Sequence, residues 1–95
     1  MKTNLIIHFN VKSNQLQEFA GVLKQVKQDL PNVSGCLGVQ VFQSQSNEQQ
    51  YTLVESWESQ AQHEAHIKNL VESGVWDEFV KHLQQEPVSA YYSLI

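Results

Sequence analysis

The sequence predicts an α+β domain with the element order β-α-β-β-α-β. Strict alternation of apolar residues marks four segments, apolar residues recur at threes and fours in the stretches between, and turn residues separate them. From Thr3 to Val11, Leu5, Ile7, Phe9 and Val11 alternate with Asn4, Ile6, His8 and Asn10, which describes a strand with two unlike faces. Ser13 is placed to cap a helix whose stripe of Leu16, Phe19, Ala20, Leu23, Val26 and Leu30 runs until Pro31 stops it. After the turn Pro31-Asn32-Val33-Ser34-Gly35, the stretch Cys36 to Ser44 sets Leu37, Val39 and Val41 against Cys36, Gly38, Gln40 and Phe42.

A polar loop, Gln45 to Gln49, joins this second strand to a third over Gln50 to Glu58, and the pair reads as a hairpin. In the third strand Tyr51, Leu53, Glu55 and Trp57 oppose Thr52, Val54 and Ser56. Ser59-Gln60-Ala61-Gln62 fits a capping box and opens a helix carrying Ala61, Ala65, His66 and Leu70, which breaks near Ser73-Gly74. Val75, Trp76, Phe79, Val80 and Leu83 form a second helical stripe, ended by Pro87, and Val88 to Ile95 alternates as a last strand. This order is the ferredoxin-like split βαβ arrangement, with an antiparallel four-stranded sheet and the helices on one face.

The 95 residues hold one domain, spanning 1–95. Six basic groups against ten acidic ones give a net charge of -4, and every basic group is a lysine. Without arginine the chain lacks bidentate guanidinium clamps for phosphate and arginine readout of guanine. The dispersed lysines form no basic patch, so neither nucleic acid nor an anionic membrane is expected as a partner. No apolar run approaches a membrane span, no signal peptide is apparent, and the lone Cys36 makes no intrachain disulfide; a cytoplasmic setting follows as the expectation. The recurrent glutamines are scattered and read as neutral surface filling.

Two helices cover one face of such a sheet. The other would carry Ile6, Phe42, Tyr91 and similar groups into water, and an apolar face of that kind marks an association surface. A homodimer packed sheet against sheet is the simplest cover.

The segment Pro31 to Gly38, the run Leu53-Val54-Glu55-Ser56-Trp57-Glu58-Ser59, Ala65-His66 on the following helix, the Trp76/Phe79 pair and a final Pro-x-x-x-Tyr strand resemble the antibiotic biosynthesis monooxygenase (ABM) domain, and its quinol-monooxygenase-like members most closely. The resemblance implies a dimeric α/β barrel in which each protomer holds a pocket between sheet and helices. It also implies oxidation of a quinol-like or polyphenolic aromatic by O2 with no metal, flavin or haem. Such chemistry asks the protein to bind a ring, take its proton and stabilise the anion.

His66 is the natural proton acceptor at neutral pH. Trp57, Phe42, Tyr51 and Trp76 offer aromatic walls, and His8, Asn10 and Tyr92 offer hydrogen bonds. Trp57, Trp76 and Phe79 also suit plain core packing. His63 and His66 stand three apart, yet no further Cys, Asp or Glu pattern completes a metal site, so none is expected. Glu55 alternates with core residues, so burial would raise its pKa unless a lysine, hydroxyl, histidine or backbone donor reaches it. Alternatives from other classes are a non-catalytic small-metabolite-binding dimer, a haem-binding or haem-degrading relative with His82 as its only late-helix histidine, and an isomerase or lyase of a phosphorylated metabolite. The missing arginine counts against the last two.

Overall fold

Four antiparallel strands form one sheet in a computed structural model that describes residues 2–95. The strands are β1 (Thr3–Asn10), β2 (Cys36–Gln43), β3 (Gln50–Trp57) and β4 (Val88–Tyr92), in the spatial order β2-β3-β1-β4. Helices α1 (Leu16–Asp29), α2 (Gln60–Glu72) and α3 (Val75–Val80) complete the ferredoxin-like topology predicted above. The sheet of a single chain stays open, with β2 and β4 at its edges.

Alternation decides which side chains meet the helices. Leu5, Ile7 and Phe9 of β1, and Tyr51, Leu53, Glu55 and Trp57 of β3, are all buried. Phe9 and Phe19 meet edge to face at 5.8 Å, and Phe79 stands 5.1 Å from Phe9, so β1, α1 and α3 share one aromatic core. The alternate residues Asn4, Ile6 and His8 pair with Ser56, Val54 and Thr52, forming the face that no helix covers.

Several local expectations are corrected. Ser13 does not cap α1: residues Ser13–Gln15 make a 3₁₀ turn, and the helix begins at Leu16 without a side-chain cap. Val11 lies just beyond β1, where it is fully buried and bridges to Leu83. A bulge between Cys36 and Gly38 adds one residue to β2. It turns Leu37 outward, places Cys36 opposite Trp57 and leaves Val39 and Val41 facing the core. The second stripe is helical only from Val75 to Val80, and β4 ends at Tyr92. Tyr91 pairs with Leu5 and therefore points to the helix side, whereas Tyr92 pairs with Asn4 and occupies the open face.

The capping signal before α2 is real, because the Ser59 hydroxyl accepts the Gln62 backbone N–H at 3.3 Å. The inward stripe of α2 is Gln62, His63, His66, Ile67 and Leu70; Ala61 and Ala65 face out. Gly35, at φ +89°, fixes the other side of this junction. A Cβ there would stand 2.5 Å from the Gln62 side chain, and the Gly35 carbonyl accepts the Glu58 N–H at 2.8 Å.

Candidate active site

β1, β3, α1, α2 and α3 enclose a cavity of about 390 Å³, walled largely by carbon. Leu5, Ile7 and Leu53 form its floor, Val26 and Leu30 one side, and Ile67, Leu70, Trp76 and Phe79 the other. Polar groups are few and come from different elements: Gln25 and Asp29, Glu55, His66, Glu78 and His82. A pocket with apolar walls and a few polar groups suits a small organic ligand.

His66 is half-buried on the inner face of α2, with its ring 5.5 Å from that of Trp57 and tilted by 33°. Burial lowers its pKa below the ordinary imidazole value, so the ring is neutral and able to accept a proton near pH 7. Trp57 itself is fully buried behind that wall. His82 is placed by the turn after α3, where its carbonyl accepts the Lys12 N–H at 2.8 Å. Its Nδ1 lies 3.2 Å from the Phe79 carbonyl, which can only accept, so Nδ1 carries the proton.

The sequence candidates divide between two sides of the sheet. His66 and Trp76 line the cavity, and Trp57 packs against His66. Tyr51 is in the core beside Phe19 and donates no wall to the cavity; Gln43 donates to its hydroxyl at 3.0 Å. His8, Asn10 and Phe42 lie with Tyr51 along a separate depression at the β1–β3–β2 end, and Tyr92 lies on the open face. The pleat sends residues of opposite parity to opposite faces, so His8, Asn10, Phe42 and Tyr92 do not share the cavity of His66. His8 is engaged there with the Thr52 hydroxyl at 2.8 Å.

The sequence weighed His63 only as a metal ligand beside His66, and it did not reveal the donor to Glu55. His63 is buried, its Nδ1 is 2.6 Å from the Tyr91 hydroxyl, and its Nε2 is 3.9 Å from Glu55 Oε1. The donor to Glu55 Oε1 is the Trp57 indole N–H at 3.0 Å, a group absent from the donors expected. The spacing of His63, His66, Ile67 and Leu70 is itself a helical stripe and could have revealed His63. Burial still holds the Glu55 carboxyl above its ordinary pKa, with the indole bond opposing. Burial also raises the half-buried Cys36 thiol. No group of three or more His, Cys, Asp and Glu is gathered to hold a metal among the described residues.

An open antiparallel sheet with helices on one face and an apolar cavity between the layers defines a ferredoxin-like α+β domain. Residues 4–82 match the family model described as antibiotic biosynthesis monooxygenase, and the chain belongs to that family. No curated protein matches it. Among solved structures, a conserved protein from Methanosarcina mazei Go1 is 21% identical with a TM-score of 0.84, over 97% of this chain and 91% of that one. A putative antibiotic biosynthesis monooxygenase from Nitrosomonas europaea is 16% identical with a TM-score of 0.85, over 99% and 90%. SnoaB, a cofactor-independent oxygenase from Streptomyces nogalater, is 9% identical with a TM-score of 0.82, over 98% and 92%. At these identities the likeness is one of fold.

Proposed function

We propose that the chain is a cofactor-independent monooxygenase of a small quinol-like or polyphenolic aromatic, with His66 as the proton acceptor. The observation that carries this reading is a neutral imidazole on the wall of an apolar, ring-sized cavity. A phenol reacts with O2 far more readily as its phenolate. His66 takes the hydroxyl proton, the O–H electron pair stays on the substrate oxygen, and the electron-rich ring then reduces O2. For a hydroquinone the balance is one quinol and one O2 giving one hydroxyquinone and one water. Trp76 and the aliphatic walls hold the ring, and Trp57 backs His66. Anionic Asp29 and Glu78 line the cavity, which favours a neutral substrate over a phosphorylated one.

The functional unit in this reading is a homodimer joined through the open face, in a cytoplasmic setting. Phe42 and Tyr92 are each about half exposed there, at 51% and 50%, and Val88 is 64% exposed. Two such faces packed together would give the dimeric barrel.

Oxygen uptake with a panel of hydroquinones and polyphenols, using protein verified free of metal and flavin, tests the activity. Uptake is expected for the wild type, and His66→Ala should lose about a hundredfold in kcat/KM, the scale of a lost general base. A His66→Ala protein as active as the wild type removes the assigned role. Tight quinol binding without uptake by the wild type makes the protein a metabolite binder instead.

A further inference from the structure

Glu55, His63 and Tyr91 form a polar chain, buried at Glu55 and His63 and partly exposed at Tyr91, that the scheme above does not use. Glu55 lines the cavity from β3, and Tyr91 and His63 line a wider cleft on the β4 side. Between them, His63 Nε2 is buried with no hydrogen-bond partner among the described residues. Leaving such a group unpaired costs stability, because its lost hydration is not replaced.

The proton positions follow from the partners. Glu55 Oε1 already accepts the Trp57 indole N–H at 3.0 Å and faces His63 Nε2 at 3.9 Å. A lone pair on Nε2 would confront this acceptor, whereas an N–H would complement it, so Nε2 carries the proton. Nδ1 is then the acceptor of the Tyr91 O–H at 2.6 Å, a role the hydroxyl can serve because it donates as well as accepts. Lysines are dispersed and arginine is absent, so an indole and an imidazole supply the polar support a buried carboxylate needs.

We propose that Glu55 is a second ligand-facing acid–base group of the cavity, and that His63, locked by Tyr91, is the residue that positions its carboxylate. The inference rests on reading the cavity as a site for hydroxylated aromatics and adds to it: with His66 and Glu55 both on the wall, the cavity fits a ring bearing two hydroxyls. The ionised carboxylate takes the second hydroxyl proton. The substrate O–H bond breaks with its electron pair left on oxygen, a new O–H bond forms on Glu55, and reversal returns the proton. Charged and titratable neighbours are Cys36 from β2, Glu64 and His66 from α2, and Tyr91 from β4, with Asp29, Glu78 and His82 on the same cavity.

The test has two arms. In the first, without turnover, ¹⁵N spectra of the histidines and ¹³C titration of the Glu55 carboxyl are recorded with and without hydroquinone under nitrogen. The expected result is His63 as the Nε2–H tautomer and a Glu55 resonance that moves with hydroquinone. The Glu55 midpoint should also rise in His63→Leu, where the facing N–H dipole is lost, and return towards wild type in His63→Gln, whose amide restores a polar N–H. In the second arm, Glu55→Gln should lose at least tenfold in kcat/KM. The acid limb of the pH–rate profile should move upward in His63→Leu and, less so, in Tyr91→Phe. An Nδ1–H tautomer, a Glu55 midpoint unmoved in His63→Leu, or wild-type kcat/KM in Glu55→Gln overturns the proposal. Hydroquinone that perturbs His66 but not Glu55 overturns it while the reading of the cavity stands; hydroquinone that perturbs neither overturns both.

Discussion

His66 and His63 sit one helical turn apart on α2, and burial lowers the pKa of both; for His63 the neighbouring His66 charge adds to the effect, with Glu64 opposing. Their linkage to stability follows from that direction. A histidine whose folded pKa lies below its ordinary value of about 6.5 contributes stability that is complete above that value and is lost as pH falls towards the folded pKa. Glu55, raised by burial, acts oppositely: its contribution is complete below the ordinary carboxylate pKa and disappears as pH rises through its raised folded pKa. The two histidines should therefore make Tm fall between pH 7.5 and 5.5 in thermal unfolding, with Glu55 opposing. His63→Leu should flatten this dependence and Glu55→Gln should steepen it. In Glu55→Gln, where the opposing carboxyl is gone, a Tm that holds or rises on acidification would contradict the buried, neutral state of the two rings.

At the scale of elements, the entry to α2 is what aims both histidines. Ser59 caps the first turn, Gly35 presses against Gln62, and the Glu58 N–H is tied to the Gly35 carbonyl, so the end of β3, the start of β2 and the first turn of α2 meet at one point. Gly35→Ala combines a left-handed backbone with a 2.5 Å approach to the Gln62 side chain. It should destabilise by about 1–3 kcal/mol in urea unfolding and lower activity by tilting α2. Gly74 has a similar φ of +84° but no atom within 4 Å of an added Cβ, so Gly74→Ala should cost less than Gly35→Ala. Equal costs would show that backbone strain alone, and not the junction with Gln62, matters at Gly35. Alternation made the strands legible, but it could not reveal the extra residue at Leu37, because a bulge is defined by the partner strand. The length of the second helical stripe was misread for a similar reason: Leu83 recurs at helical spacing, yet it is buried by its bridge to Val11 across the molecule.

For the whole molecule, the open sheet face is the feature that asks for a second chain. Phe42 from β2 and Tyr92 from β4 stand about half exposed on it, while the polar pairs His8–Thr52 and Asn4–Ser56 are hydrogen-bonded within the sheet at 2.8 Å. In solution the protein should therefore run at twice its 10.9 kDa chain mass by light scattering, and Phe42→Glu should shift it towards the single-chain mass without unfolding it. A wild type that remains a single chain at high micromolar concentration would remove the dimer from the reading.

Local patterns by themselves determined the order of strands and helices, the covered face of β1 and β3 and the break at Gly74, because each depends on the periodicity or turn chemistry of a short segment, whereas the candidacy of His66 came with the family resemblance. Only the tertiary structure decided that His8, Asn10, Phe42 and Tyr92 stand apart from the cavity of His66, that Tyr91 and not Tyr92 turns towards the helices, and that Glu55 finds an indole and faces an imidazole. These depend on register between strands and on the seating of α2 over β3. A segment's own sequence fixes which residues share a face, while the partner that face meets is set by contacts between residues far apart in the chain.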